Sequence, residues 1–388
     1  MAWTSHPQAR RDGALQHLLT LDGLPRKHLE HLLRWAARYL DQLIAGDVTS
    51  APDRCAGQPL LANARVAPMF FDAQERLLPF HVAALSPDVD QLTSPGNTAF
   101  RMASEDYVAC VRAAAALGAS YRTCAESGLT PKVAPTSSSG TCASANLANL
   151  DALPDRTHGE PLAGRAQRPL IDWLPELVDA RYLIFHHPQN GAPFLVAAHC
   201  MPHQHVINAG DGSYAHPVRA LCNVLDILRH TPALTELRVA IVGDIAESGI
   251  ARSTLHALTT LGTPEIRVVG PTTLTVEAIA HLGATWYEDG AVGLADVDVV
   301  IVMSSPDGGL TDSTAPVVRF NGMPPTGDGR AEGVAPDILR QAVWMAVLAV
   351  LAGQSDGDAS RVTGVYRGDG AVAQDEWTPP RIYHQGRQ

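Results

Sequence analysis

The chain has 388 residues, with 46% hydrophobic and 18% charged side chains and a formal net charge of −11. That length suits two domains of ordinary size, each with its own core. The acidic balance excludes nucleic acid and anionic membrane surfaces as expected partners, while leaving room for a small polar substrate held by a local field.

Six cysteines (Cys55, Cys110, Cys124, Cys142, Cys200, Cys222) are scattered with no CxxC pair, and the opening MAWTSHPQARRDG has no apolar run. Both features predict free thiols in a reducing, cytoplasmic setting without a secretory signal. Trp344–Ala352 is apolar, but a membrane span takes ~20 residues.

In chain order, Leu18–Leu40 predicts an amphipathic helix after a turn at Asp22–Pro25, with Leu29, Leu32, Leu33 and Ala36 at helical spacing. Residues 58–71 read as a buried strand, and residues 72–98 as an irregular stretch punctuated by Pro79, Pro87, Pro95 and Gly96. An alanine-rich helix is predicted over Glu105–Ala119, a long Ser/Thr/Pro/Gly-rich loop over residues 127–166, a short helix over Leu170–Val178 and a strand over Tyr182–Phe185 that runs into HHPQNG.

Residues His205–Asp226 read HVINAGDGSYAHPVRALCNVLD, a strand, a Gly-rich turn and an HP pair opening a helix. Such a turn puts an imidazole and backbone N–H groups at a helix N-terminus, where a polar substrate is readily bound. Beyond it, strands at Arg238–Val242, Glu265–Val269 and Val297–Met303 alternate with helices at Ile250–Leu261 and Val276–Leu282, and an apolar helix over Pro336–Leu351 closes the pattern. Alternation of this kind predicts α/β units with parallel sheets. No internal repeat is visible.

Four ordered blocks, HHPQNGA (186–192), VINAGDGSYAHP (206–217), VAIVGDIAESGIARS (239–253) and ADVDVVIVMSS (295–305), resemble the aspartate/ornithine transcarbamylases, and their order and spacing are most similar to the aspartate enzyme. The resemblance spans about residues 17–352 and implies two doubly wound parallel-sheet α/β domains. The expected division is a carbamoyl-phosphate-type domain over 1–200, carrying an insertion near 72–98 and the loop 127–166, and an amino-acid-type domain over 201–352. The closing helix 336–352 is expected to pack back on the first domain, with 353–388 as a tail. The family's trimeric assembly, with sites shared between neighbours, implies a homotrimer.

The residues that carry the family's chemistry depart from its pattern. An STRTR loop holds the phosphate in the family, with hydroxyls and two guanidiniums around a dianion. Here the segment after Phe70–Phe71 reads DAQERLLPF, which aligned without a gap places Gln74 and Glu75 in the hydroxyl positions and keeps Arg76. A gapped register aligns GNTAFRMASE (96–105) instead, keeping Thr98, Arg101 and Glu105 with Ala99 in place of an arginine. A third phosphate arginine matches His186, the lysine supplied from a neighbouring subunit matches His158, the carboxylate-gripping arginine matches Gly249, and the HPTQ glutamine matches Arg219. The LRVQ motif matches Ser304–Pro306, and Arg252 matches an arginine read as structural.

The resemblance leaves His216 aligned with the histidine that contacts the carbamoyl oxygen, so His216 and His186 are the candidate catalytic groups. Arg219, Arg101, Thr98, Gln189 and His158 are the candidate substrate-binding groups. Asn208, Asp211 and Gly212 are expected to shape their turn. His187, His199, His203 and His205 enrich the region in imidazole, but the spacing assigns no metal. GDIAESG is not GxGxxG and assigns no nucleotide, so no cofactor is expected. The leading expectation is an enzyme reusing the inter-domain cleft for a carbonyl or amide of a small polar substrate in a specialised pathway. The alternatives are a catalytically silent paralogue that associates with an active transcarbamylase, and carbamoyl transfer to an unusual amine.

Overall fold

The computed structural model describes residues 8–10, 12–46, 54–55, 58–73, 75, 77–78, 98–121, 170–231, 234–303, 317–319 and 334–353. The loop expected at 127–166 with His158, most of the stretch 72–98 including Gln74 and Arg76, the segment Ser304–Pro306 and nearly all of the tail lie outside them.

The first half of the chain contributes helix α1 (Arg26–Ile44), two short strands β1 (Arg54–Cys55) and β2 (Gln58–Pro59), and strand β3 (Arg65–Phe70). Helix α2 (Thr98–Ala116), strand β4 (Ser120–Tyr121), a 3₁₀ turn (Leu170–Leu177), strand β5 (Tyr182–His187), helix α3 (Ala192–His199) and strand β6 (His205–Asp211) follow. β4, β3, β5 and β6 lie side by side in that order, all parallel. Because β6 pairs with β5, this first sheet runs past the division expected at residue 200.

The second sheet is built from β7 (Arg238–Val242), β8 (Glu265–Val269), β9 (Thr285–Tyr287), β10 (Val299–Val302) and β11 (Val317–Arg319). It is also fully parallel, in the order β11-β10-β7-β8-β9. Helices α4 (Pro217–His230), α5 (Gly249–Leu261), α6 (Val276–His281), α7 (Gly290–Leu294) and α8 (Pro336–Leu351) complete the described fold. Two doubly wound parallel-sheet α/β units are therefore present, and none of the described helices is long and apolar enough to cross a membrane.

Parallel strands buried on both faces need near-continuous apolar sequence, and β3, β5 and β6 supply it. Val66, Phe70, Ile184 and Ile207 face one core together with α1, α2, α4 and α8, whereas Ala67, Met69, Leu183, Phe185 and Val206 face a second with α3 and the 3₁₀ turn. The two-residue period along each strand sorts the side chains between these layers. Helix α8 packs on α1, α2 and α4.

Two sequence expectations change. The strand expected over 58–71 is continuous only from Arg65, because Leu60–Asn63 turn and Leu61 N–H bonds to the Leu117 carbonyl at 2.9 Å. The first helix starts at Arg26, directly after the turn expected at Asp22–Pro25, and Leu18 ahead of that turn is extended and bridges Ile207 on the free edge of β6. The helix expected from Glu105 begins at Thr98.

The segment around Leu18 is stitched to β6 by imidazoles. His17 Nδ1 accepts from Val206 N–H at 2.9 Å, and His205 Nδ1–H donates to the Gln16 carbonyl at 2.8 Å. Burial lowers the pKa of both histidines to about 4.

Candidate functional site

In doubly wound sheets, ligands bind beyond the carboxyl ends of the strands, where neighbouring connections leave in opposite directions. In the first sheet that point lies between β3 and β5, where Phe70 at the end of β3 is the register partner of His186, one residue before the end of β5. In the second it lies between β7 and β10, at the loop Gly243–Ser248. The two meet through the β6–α4 turn. A Cβ on Gly249 would stand 3.0 Å from Ala215 N, and His216 N–H donates to Ser253 Oγ of α5 at 2.9 Å. Gly249, matched above to a substrate-gripping arginine, thus abuts backbone with no room for a side chain.

The β6–α4 turn is held by its own side chains. Asn208 Oδ1 accepts from Gly210 N–H at 2.7 Å, and its amide donates to the Leu19 carbonyl and to Asp211 Oδ1. Asp211 also accepts from Gly191 and Ala215 N–H at 2.7 and 3.0 Å. Burial outweighs these three hydrogen bonds and raises Asp211 to about 6.

His216 is almost fully buried and both its ring nitrogens are engaged. Nδ1 accepts from Arg219 N–H at 3.4 Å, capping α4, and Nε2 lies 3.1 Å from Asp106 Oδ2 on α2. A capping acceptor at Nδ1 places the proton on Nε2, which donates to Asp106. Burial lowers the His216 pKa despite that carboxylate.

Arg219 is 2% exposed. Its Nε donates to Asp106 Oδ2 at 2.8 Å and its Nη2 to the Met102 carbonyl and Glu105 Oε2 at 2.9 and 3.1 Å. Arg340 on α8 approaches Glu105 at 3.5 Å. The guanidinium and imidazole hold Asp106 well below the usual carboxylate range even though it is fully buried. Of the side chains expected to grip substrate, Arg219 is thereby committed to an internal network joining α2, α4 and α8. Asp106 was not singled out from sequence. The available signal was an arginine within the apolar run PVRALCNVL, because a buried guanidinium demands a buried acid.

His186 is placed differently. It stacks on Phe70 with ring centroids 5.6 Å apart and planes 17° apart, and Phe70 meets Tyr107 of α2 edge-on at 5.6 Å. Its Nδ1–H donates to the Ala209 carbonyl at 3.0 Å, so Nε2 carries a lone pair. Burial lowers its pKa to about 4. Gly210 separates His186 from His216, with a positive φ of 117°.

Gln189 stands at the rim and its amide N–H donates to Glu75 Oε1. Glu75 has a left-handed φ of 59°, a conformation costing a non-glycine residue about 1–3 kcal/mol. Thr98 and Arg101 fall in the first turns of α2. His199, on α3, bonds the Leu195 carbonyl, and His203, beyond it, the Val178 carbonyl. Among the described residues no group of three or more His, Cys, Asp and Glu is arranged to hold a metal.

The buried histidines make stability pH-dependent. His17, His186 and His205 each fall from 6.5 to about 4 on folding, so as pH drops through that window the unfolded chain takes up protons first. Stability is expected to be full above pH 6.5 and to decline toward pH 4, by up to ~1.4 kcal/mol per pH unit for each histidine. Asp211, raised from 3.8 to about 6, acts oppositely over much of this range. Melting temperature followed across pH checks the net sign, and a flat profile contradicts it.

Two parallel α/β units with their strand-end loops converging on one turn make up the fold, and solved transcarbamoylases share it. No protein-family model matches the sequence. The chain superposes on ligand-free aspartate transcarbamoylase from Trypanosoma cruzi with a TM-score of 0.57 and 15% identity, covering 88% of this chain and 97% of that one. The phosphate complex of that enzyme gives 0.56 at 15% identity (86% and 95% covered), and the N-(phosphonacetyl)-L-aspartic acid complex 0.55 at 14% (89% and 99%). At this identity the likeness is one of fold.

Proposed function

We propose that the protein is a diverged transcarbamylase-fold enzyme whose cleft takes a small polar substrate other than the carbamoyl phosphate and aspartate pair. The observation that supports this reading is the closure of the His216–Asp106–Arg219 network. The imidazole aligned with the family's carbonyl-oxygen donor already gives its proton to Asp106, and the nearby guanidinium is neutralised by Asp106 and Glu105. His186 offers a lone pair where the resemblance aligns a phosphate arginine. Losing one charged hydrogen bond costs ~1.5–3 kcal/mol, and every ~1.4 kcal/mol is tenfold in affinity, so a dianion site stripped of several such bonds weakens by orders of magnitude.

Chemistry at the strand end would centre on His186, with His216 and Arg219 as positioning groups behind it. A homotrimer in the cytoplasm belongs to the same proposal. A second reading, a silent paralogue assembling with an active transcarbamylase, draws on the same closure, because an internal network serves a scaffold as well as an enzyme.

Carbamoyl phosphate incubated with aspartate and a panel of amines is expected to release no phosphate above background. Calorimetry is expected to show no binding of N-(phosphonacetyl)-L-aspartic acid. Micromolar binding of that bisubstrate mimic would sink the proposal, and stoichiometric co-purification with an active transcarbamylase would favour the second reading.

A further inference from the structure

The described side chains at the end of β5 present acceptors. His186 Nε2 is a lone pair fixed in tautomer by the Nδ1–H bond to Ala209 and fixed in plane by the Phe70 stack. The ring is partly exposed, and no described residue donates to Nε2. Deeper in the same cluster, Asp106 Oδ1 is fully buried and no donor among the described residues reaches it. At the rim the Gln189 amide N–H is taken up by the Glu75 carboxylate, so that donor is already spent and a carboxylate stands alongside. The charge of Arg219 is cancelled inside the network by Asp106 and Glu105. A group that binds here must bring donors, and an anion meets lone pairs.

We propose that this strand end selects a donor-bearing, non-anionic ligand group, an amine or guanidine, with His186 Nε2 as the acceptor that reads it. The inference rests on the reading above that carbamoyl phosphate is not the ligand, and it adds the chemical class of what is.

Methylguanidinium is the probe, with tetramethylammonium as a cation lacking N–H donors and inorganic phosphate as an anion. Calorimetry on the full chain should show methylguanidinium binding and neither of the others. His186→Phe keeps an aromatic ring on Phe70 but removes the lone pair. It should bind the probe at least about tenfold more weakly, the effect of one hydrogen bond to a charged group. Should that variant misfold, the wild-type chain serves: carbethoxylation of His186, mapped by mass spectrometry, should be slowed by methylguanidinium and unaffected by phosphate.

Equal binding by the phenylalanine variant, equal binding of tetramethylammonium, or no protection of His186 overturns the inference. If methylguanidinium fails and carbamoyl phosphate also fails, this inference falls and the proposed function stands. If carbamoyl phosphate binds at micromolar strength, both fall.

Discussion

Arg219→Met is expected to lower the unfolding free energy by about 3–5 kcal/mol, the usual cost of stranding one partner of a buried ion pair. Asp106 would then keep its negative charge in a fully buried position with only the neutral His216 N–H as a donor. The folded variant can relieve that charge by taking up a proton, at Asp106 itself or at His216 to give an imidazolium. Either raises a folded-state pKa, so the variant should recover stability as pH falls and lose it as pH rises. Urea titrations at mildly acidic and alkaline pH would measure both the loss and its sign. Adding Asp106→Leu to Arg219→Met should restore most of the stability, because the pair is then replaced by apolar volume. If the single variant is as stable as the parent, the network is not the clamp its geometry implies.

Gly210→Ala is the second large effect expected. The added methyl would lie 2.8 Å from His186 Nδ1 and 2.9 Å from His216 Cδ2. Both rings are anchored, one by Phe70 and the Ala209 carbonyl, the other by Asp106 and the helix cap, so neither yields easily. Backbone strain at a φ of 117° adds about 1–3 kcal/mol, and overpacking another ~1–3. A total loss of about 2–6 kcal/mol is expected, together with displacement of His186 from the Ala209 carbonyl. Chemical denaturation would record the first, and a change in the NMR titration of His186 the second. An alanine variant of parental stability would mean that the two imidazoles are free to move apart.

Much of the fold was legible from sequence because parallel sheets write themselves as apolar runs between turn residues. RVAIV and EIRVV became β7 and β8 with the predicted bounds, and the closing helix over Pro336–Leu351 likewise. The segment APFLVAAH was not foreseen as α3, since apolar residues surround it without a helical stripe: Val196 is buried while Leu195 is exposed. Helix α1 was legible from its apolar spacing after the Asp22–Pro25 turn, whereas the extended pairing of Leu18 beside β6 left no such sign. At the site, the NAGDG turn announced itself because its Asn and Asp bond locally. The network did not, because Arg219 meets Asp106 across most of the first sheet's sequence, and a charge pair so distant leaves no periodic trace. The alignment that offered Arg219 to a substrate saw its position along α4 and not the acid facing it.

One consequence of the packing of α1 on α8 concerns the chain as it leaves the ribosome. The apolar stripe of α1, with Leu29, Leu32, Leu33 and Tyr39, emerges early, while the helix that covers it is among the last described elements to be made. Such long-range closure is slow and leaves sticky surface waiting. Nascent chains should therefore depend on a holding chaperone until α8 arrives, however stable the finished molecule is.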